Sequence, residues 1–211
     1  MPKKQSTISI ANPNKSEQTQ EVIFKVVLAE TDPVVWRRIK LSSKMTLDDL
    51  SRAIQGAFAW MGGHGHQFNF GKGELYSSND FGDAGDNMGF PIPKDSKHVR
   101  LSEFLNPKHK PFKYEYDFGD SWLHVVSIES VTPMERPIKD PECIAGENSA
   151  PPQDCGGTPG FENFKKIMAN KRDSEHSSMR DWYGGDFNPQ QFNMGETNKR
   201  IKKFISRAPP F

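Results

Sequence analysis

The sequence predicts an α+β fold: a single domain in which helices pack on an antiparallel sheet with a central β-hairpin. Three observations carry this. Residues 114–129 read YEYDFGDSWLHVVSIE, the densest strand signal in the chain. Tyr114, Tyr116 and Phe118 alternate with Glu115 and Asp117; Gly119, Asp120 and Ser121 supply turn chemistry; aromatic and β-branched residues then return from Trp122. Two earlier apolar runs, 21–29 and 34–41, flank the turn Thr31-Asp32-Pro33 and read as paired strands. Residues 46–60 read as the best helix, with Leu47, Leu50, Ile54, Ala57, Phe58 and Met61 recurring at spacings of three and four.

Taken in order, residues 1–20 are polar and aperiodic, and are expected to be a disordered tail ahead of a domain at 21–207. Val22, Phe24, Val26 and Leu28 would share one face of the first strand. Thr46 and Asp49 form a capping-box pair for the helix, and Gly62-Gly63 is expected to end it. His64-Gly65-His66 follows, then a short strand at 67–70. Residues 77–93 read as a loop and 99–105 as a helical turn. In the hairpin, a two-residue Gly119-Asp120 loop would put Asp117 opposite Trp122 and Glu115 opposite His124. Tyr114, Tyr116, Phe118, Leu123 and Val125 would then share one face, and Glu115, Asp117, Trp122, His124 and Val126 the other. Residues 132–160, with six prolines and both cysteines, read as irregular. Helices are expected at 161–170, 174–183 and 195–205, broken by Gly184-Gly185 and Asn188-Pro189.

Composition bounds the function. Apolar residues make up 34% of the chain, and glycine raises this to about 42%, slightly under the ~45–50% of globular domains. That shortfall fits a chain with long loops or a tail. A net charge of +1 supplies no global field to draw the protein onto nucleic acid or membrane. No apolar leader and no run near membrane-spanning length is present, and there are only two cysteines. The expectation is a cytoplasmic protein without a disulfide and without a membrane partner.

Four groupings carry chemistry. His64, His66, Cys143 and Cys155 together form a donor set suited to tetrahedral zinc, although an eleven-residue gap between the cysteines is not a standard finger spacing. The alternative is two reduced cysteines in a packed loop. Asp117, Asp120 and His124, with Glu115, bring carboxylates and an imidazole to a rigid hairpin, for general acid/base work or a divalent ion. The alternative is local: Asp120 closes the turn and Asp117 accepts the Trp122 indole hydrogen bond. Arg37 and Arg38 beside Trp36, and Lys202 and Lys203 on a basic final helix, are nucleic-acid candidates. Their alternative is solvated surface, since Arg37 and Arg38 point to opposite faces of a strand. Trp182, Tyr183 and Phe187 read as anchors for a docked helix. Phosphate-binding, dinucleotide-binding, zincin and serine-hydrolase motifs are absent.

The runs Pro33-Val34-Val35-Trp36-Arg37-Arg38, His64-Gly65-His66-Gln67-Phe68 and residues 114–124 match one family, as do residues 143–147, Pro151-Pro152-Gln153-Asp154-Cys155-Gly156-Gly157 and residues 184–189. On these the chain resembles the plasmid pRiA ORF-three-like family, also described as an insertion-element passenger TnpR-like domain, over about residues 21–200. The resemblance implies an α+β fold and a mobile-element association, with no assigned activity. Resolvase chemistry is not expected, because a nucleophilic serine must sit beside arginines on the first strand, and residues 21–29 contain neither. Two function classes follow. The first is a binding or accessory protein acting on nucleic acid or a protein partner. The second is a metal-dependent enzyme, of hydrolase type, using the His/Asp cluster.

Overall fold

The computed structural model describes residues 19–78, 92–105, 110–134 and 138–206. The expected tail at 1–20 falls almost wholly outside them, as do Arg207 and most of the 77–93 loop. Eight strands form one sheet in the order β5-β4-β3-β6-β7-β1-β2-β8. They are β1 (Gln20–Leu28), β2 (Trp36–Ser42), β3 (His66–Asn69), β4 (Leu75–Ser77), β5 (Lys94–Asp95), β6 (Phe112–Tyr116), β7 (Trp122–Pro133) and β8 (Glu142–Glu147). Every pairing is antiparallel except β4 with β5. The helices are α1 (Leu47–Ala57), α2 (Gly157–Ala169), α3 (His176–Tyr183) and α4 (Met194–Ser206). The α+β class and the central hairpin are as expected. No helix among the described residues is long and apolar enough to cross a membrane.

One face of the sheet makes the core. Val22, Phe24, Val26 and Leu28 alternate inward along β1, and Phe112, Tyr114, Tyr116, Trp122, His124 and Val126 line the same face of the hairpin. Helix α1 lies over it. Its capping box forms: Asp49 N–H donates to Thr46 Oγ1 at 3.1 Å and Thr46 N–H donates to Asp49 Oδ2 at 2.9 Å. Such a cap contributes about 1 kcal/mol. The helix stops at Ala57, short of the expected Trp60, because Ala59 takes a left-handed φ of 60° and Trp60 N–H donates back to Gln55 O. That turn carries Trp60 into the core and starts the loop that bears His64. Helix α4 crosses α1 so closely that a Cβ on Gly56 would lie 2.7 Å from Ile201 Cα.

Two expectations are corrected. The hairpin loop has five residues, not two, and Tyr116 pairs with Trp122, Glu115 with Leu123 and Tyr114 with His124. Asp117 (φ 60°) and Ser121 (φ 56°) are both left-handed, and Ser121 N–H donates to Asp117 O at 2.6 Å, so a wider turn replaces the tight one. The odd shift in register moves Trp122 and His124 onto the tyrosine face. Phe118 leaves the core and is 48% exposed. The second correction concerns 132–160: it contains β8, an edge strand on β2 with a bulge between Arg38 and Ile39.

Candidate metal centre

Three loops meet at one end of the hairpin. The first, after α1, carries His64; the second is the hairpin loop; the third, between β8 and α2, carries Gln153, Asp154 and Cys155. Specific hydrogen bonds hold them together. Asp117 N–H donates to Gly65 O at 2.8 Å. Met61 N–H at 2.7 Å and Tyr116 O–H at 3.2 Å both donate to Gln153 Oε1. Gly156 N–H donates to Asp120 Oδ2 at 3.2 Å, which ties the hairpin loop to the start of α2. The backbones also touch. Gly157, with φ of 66°, approaches so closely that a Cβ there would sit 2.6 Å from Asp120 O.

His64 is the hub of this junction. Its Nδ1 lies 3.5 Å from Asp117 Oδ2 and its Nε2 lies 3.1 Å from Asp154 Oδ1. One ligand atom from each of the three residues falls within 4.8 Å of the others, a set one divalent ion can occupy. The ring also stands nearly perpendicular to that of Tyr116, at 5.9 Å between centroids. Asp117 is anchored separately. Its Oδ1 accepts from Gly119 N–H at 2.9 Å and Asp120 N–H at 3.3 Å, leaving Oδ2 for His64. Asp117 and Asp154 both hold left-handed backbones, φ 60° and 61°. Non-glycine residues in that region cost on the order of 1 kcal/mol and gather at functional sites.

The sequence-derived sets are divided by the fold. His64, His66, Cys143 and Cys155 are not brought together. His66 is buried with its ring 5.8 Å from Tyr114, on the core side of Gly65. Cys143 is buried in β8, where its backbone N–H donates to Asn198 and its thiol to Ala145 O. Cys155 is close to the centre, where burial, then Asp120 and Asp154, push its thiol up to about 12. Of Asp117, Asp120 and His124, only the two carboxylates reach the junction. His124 is fully buried among Phe58, Trp60 and Tyr114. A carbonyl only accepts, so the 3.2 Å contact with Tyr114 O puts the proton on His124 Nδ1. Burial holds its pKa down at about 4. Trp122 does not bond to Asp117; its indole N–H has no hydrogen-bond partner among the described residues. Asp154 shows no sequence pattern that marks it; only the folded loops bring it to His64.

The basic candidates likewise separate. Arg37 is 2% exposed and donates to the carbonyls of Ala57, Trp36, Glu147 and Asn148, joining α1, β2 and the end of β8. Burial lowers its pKa to about 10. Arg38 faces the opposite side of the sheet, paired with Glu129 at 2.6 Å and set over the Trp36 ring. Lys202 and Lys203 are exposed on α4, which packs on the Arg37 side, so they do not share a surface with Arg38.

A cleft opens beside the His64–Asp117–Asp154 cluster. It is about 380 Å³, floored by Asp154 and Cys155 and walled by α2 and α3 through Asn163, Phe164, Met179 and Trp182. Phe164 and Trp182 meet edge to face at 5.9 Å.

Comparison with known proteins places this geometry in a family. The curated uncharacterized protein y4hQ of Sinorhizobium fredii is 29% identical over 189 residues, covering 88% of this chain and 93% of that protein. The crystal structure of MM3350, a protein of unknown function from Methanosarcina mazei Go1, superposes with a TM-score of 0.72 at 27% identity, covering 85% of this chain and 98% of that one. The family model described as plasmid pRiA4b ORF-3-like protein matches residues 20–196, and it includes β1 to β8, α1 to α3 and all three loops of the junction. The chain belongs to the plasmid pRiA4b ORF-3-like protein family.

Proposed function

We propose that this protein is a metal-dependent enzyme of hydrolase type, its divalent ion held by His64, Asp117 and Asp154. The observation that carries the reading is the convergence of three donor atoms within 4.8 Å from three separate loops. The donor set is one imidazole and two carboxylates, which suits zinc or manganese better than a soft thiolate-loving ion. Structural zinc sites close their coordination with four protein ligands, whereas catalytic sites use three and keep a position open. Three ligands here, with the His64 side chain 35% exposed and Asp154 57% exposed, match the open kind. Hydrolysis suits such a site: water adds across the scissile bond, its oxygen going to the electrophilic atom and its proton to the leaving group. The nucleic-acid form of the accessory-protein reading has weaker support, since its basic candidates are buried, paired or on different faces.

The same three residues have a second use. An imidazolium donating from both nitrogens to two carboxylates would be a structural ion triad. Calorimetric titration of EDTA-stripped protein with ZnCl2 separates the two. The metal reading expects one ion per chain, lost in His64→Ala and in Asp154→Ala but kept in Cys143→Ser. Absence of stoichiometric binding, or binding that survives both ligand variants, overturns it.

A further inference from the structure

We propose that the cleft between the Asp154–Cys155 loop and helices α2 and α3 is a subsite for a flat, uncharged ring-bearing small molecule, presented edge-on to the metal cluster. The inference rests on the metal reading only for what the ligand would meet at its inner end. The cleft itself stands on its own lining. Its volume of about 380 Å³ lies within the ~300–1,000 Å³ of small-molecule sites. One wall is apolar: Phe164, Met179 and the 51% exposed Trp182, which meets Phe164 at a steep 72° between ring planes and is not stacked on it. A planar ring stacks on an exposed indole, and the methionine thioether packs against its edge.

The polar groups fix the charge of the ligand. Asn163 supplies an amide and Ser178 a hydroxyl, each able to donate or accept. Among the described residues, Asp154 is the one acidic side chain in the lining. Among the described residues, no lysine or arginine lines the cleft. In the metal-free chain an anionic ligand would meet a carboxylate and no compensating cation, so without the ion the subsite discriminates against carboxylates and phosphates in this part of the molecule. Asp154 belongs both to this lining and to the metal cluster. A ring seated here would bring its polar edge towards the residues that would hold the ion, and a carbonyl-like group on that edge is what the two sites together would take.

The test uses isosteric probes on the full chain kept in EDTA, so that it does not depend on metal. Benzamide and benzoate share a ring and differ in charge. Ligand-observed NMR titrations are expected to show saturable benzamide binding, with benzoate at least tenfold weaker. Trp182→Leu, a change at a half-exposed site, should weaken benzamide at least fivefold. Ser178→Lys puts a cation in the lining and should bring benzoate to within threefold of benzamide. Equal binding of the two probes to the unmodified chain, or unchanged benzamide binding in Trp182→Leu, overturns the proposal. Because zinc titration is read separately, a failed cleft leaves the metal reading standing, and a failed metal titration leaves the cleft.

Discussion

The buried imidazole of His124 should impose a specific pH dependence on stability. It sits at 0% exposure, with Nδ1–H on Tyr114 O and aromatic rings around it. Burial depresses its pKa from 6.5 to about 4. Between those values the unfolded chain binds a proton that the folded chain refuses, so stability is full above pH 6.5 and falls as pH drops towards 4. The depression corresponds to about 3 kcal/mol, lost at up to ~1.4 kcal/mol per pH unit. Leucine cannot titrate, so His124→Leu removes this slope. At pH 7 the variant should be about 1 kcal/mol less stable than the wild type, through the lost hydrogen bond. By pH 4 the order should reverse, with the wild type lower by about 2 kcal/mol. Urea denaturation at pH 7, 6, 5 and 4, followed by tryptophan fluorescence, reads both proteins. Other groups titrate in this range, but they are common to both, so the difference isolates His124. Parallel pH curves for wild type and variant would refute the reasoning.

Three further outcomes are expected. Trp122→Ala, which empties a position stacked 5.4 Å from Trp60 at 1% exposure, should cost about 3–5 kcal/mol in the same denaturation assay. Arg37→Met leaves four carbonyls without their donor and should cost on the order of 3 kcal/mol, whereas Arg38→Met on the open face should cost less than about 1 kcal/mol. Asp117→Asn keeps the Oδ1 acceptor for Gly119 and Asp120, so melting should change by no more than about 1 kcal/mol while zinc affinity falls roughly tenfold or more.

Local chemistry made part of this legible in advance. The capping box and apolar spacing of α1 are written in residues 46–58, and β1 alternates as its burial does. The hairpin was legible as an element but its register was not. Gly119 and Asp120 look like a two-residue turn, yet Asp117 and Ser121 adopt left-handed backbones that periodicity cannot report. That one misplaced register put Trp122 and His124 on the wrong face. Strand β8 was hidden because an edge strand with one fully buried side chain, Cys143, has little alternation to show. At the site, His64 and Asp117 were visible as candidates. Asp154 was not, because its partnership with His64 exists only once loops about 90 residues apart are folded together.

The central claim is that His64, Asp117 and Asp154 hold one divalent ion. The direct measurement is an anomalous difference map, collected above and below the zinc edge, from crystals of the full chain soaked in ZnCl2. The account predicts one strong peak about 2.0–2.1 Å from a His64 ring nitrogen and about 2.0–2.2 Å from a carboxylate oxygen of each aspartate. It also predicts no peak at Cys143. A map with no peak at the junction, or with its strongest peak on either cysteine, would contradict it.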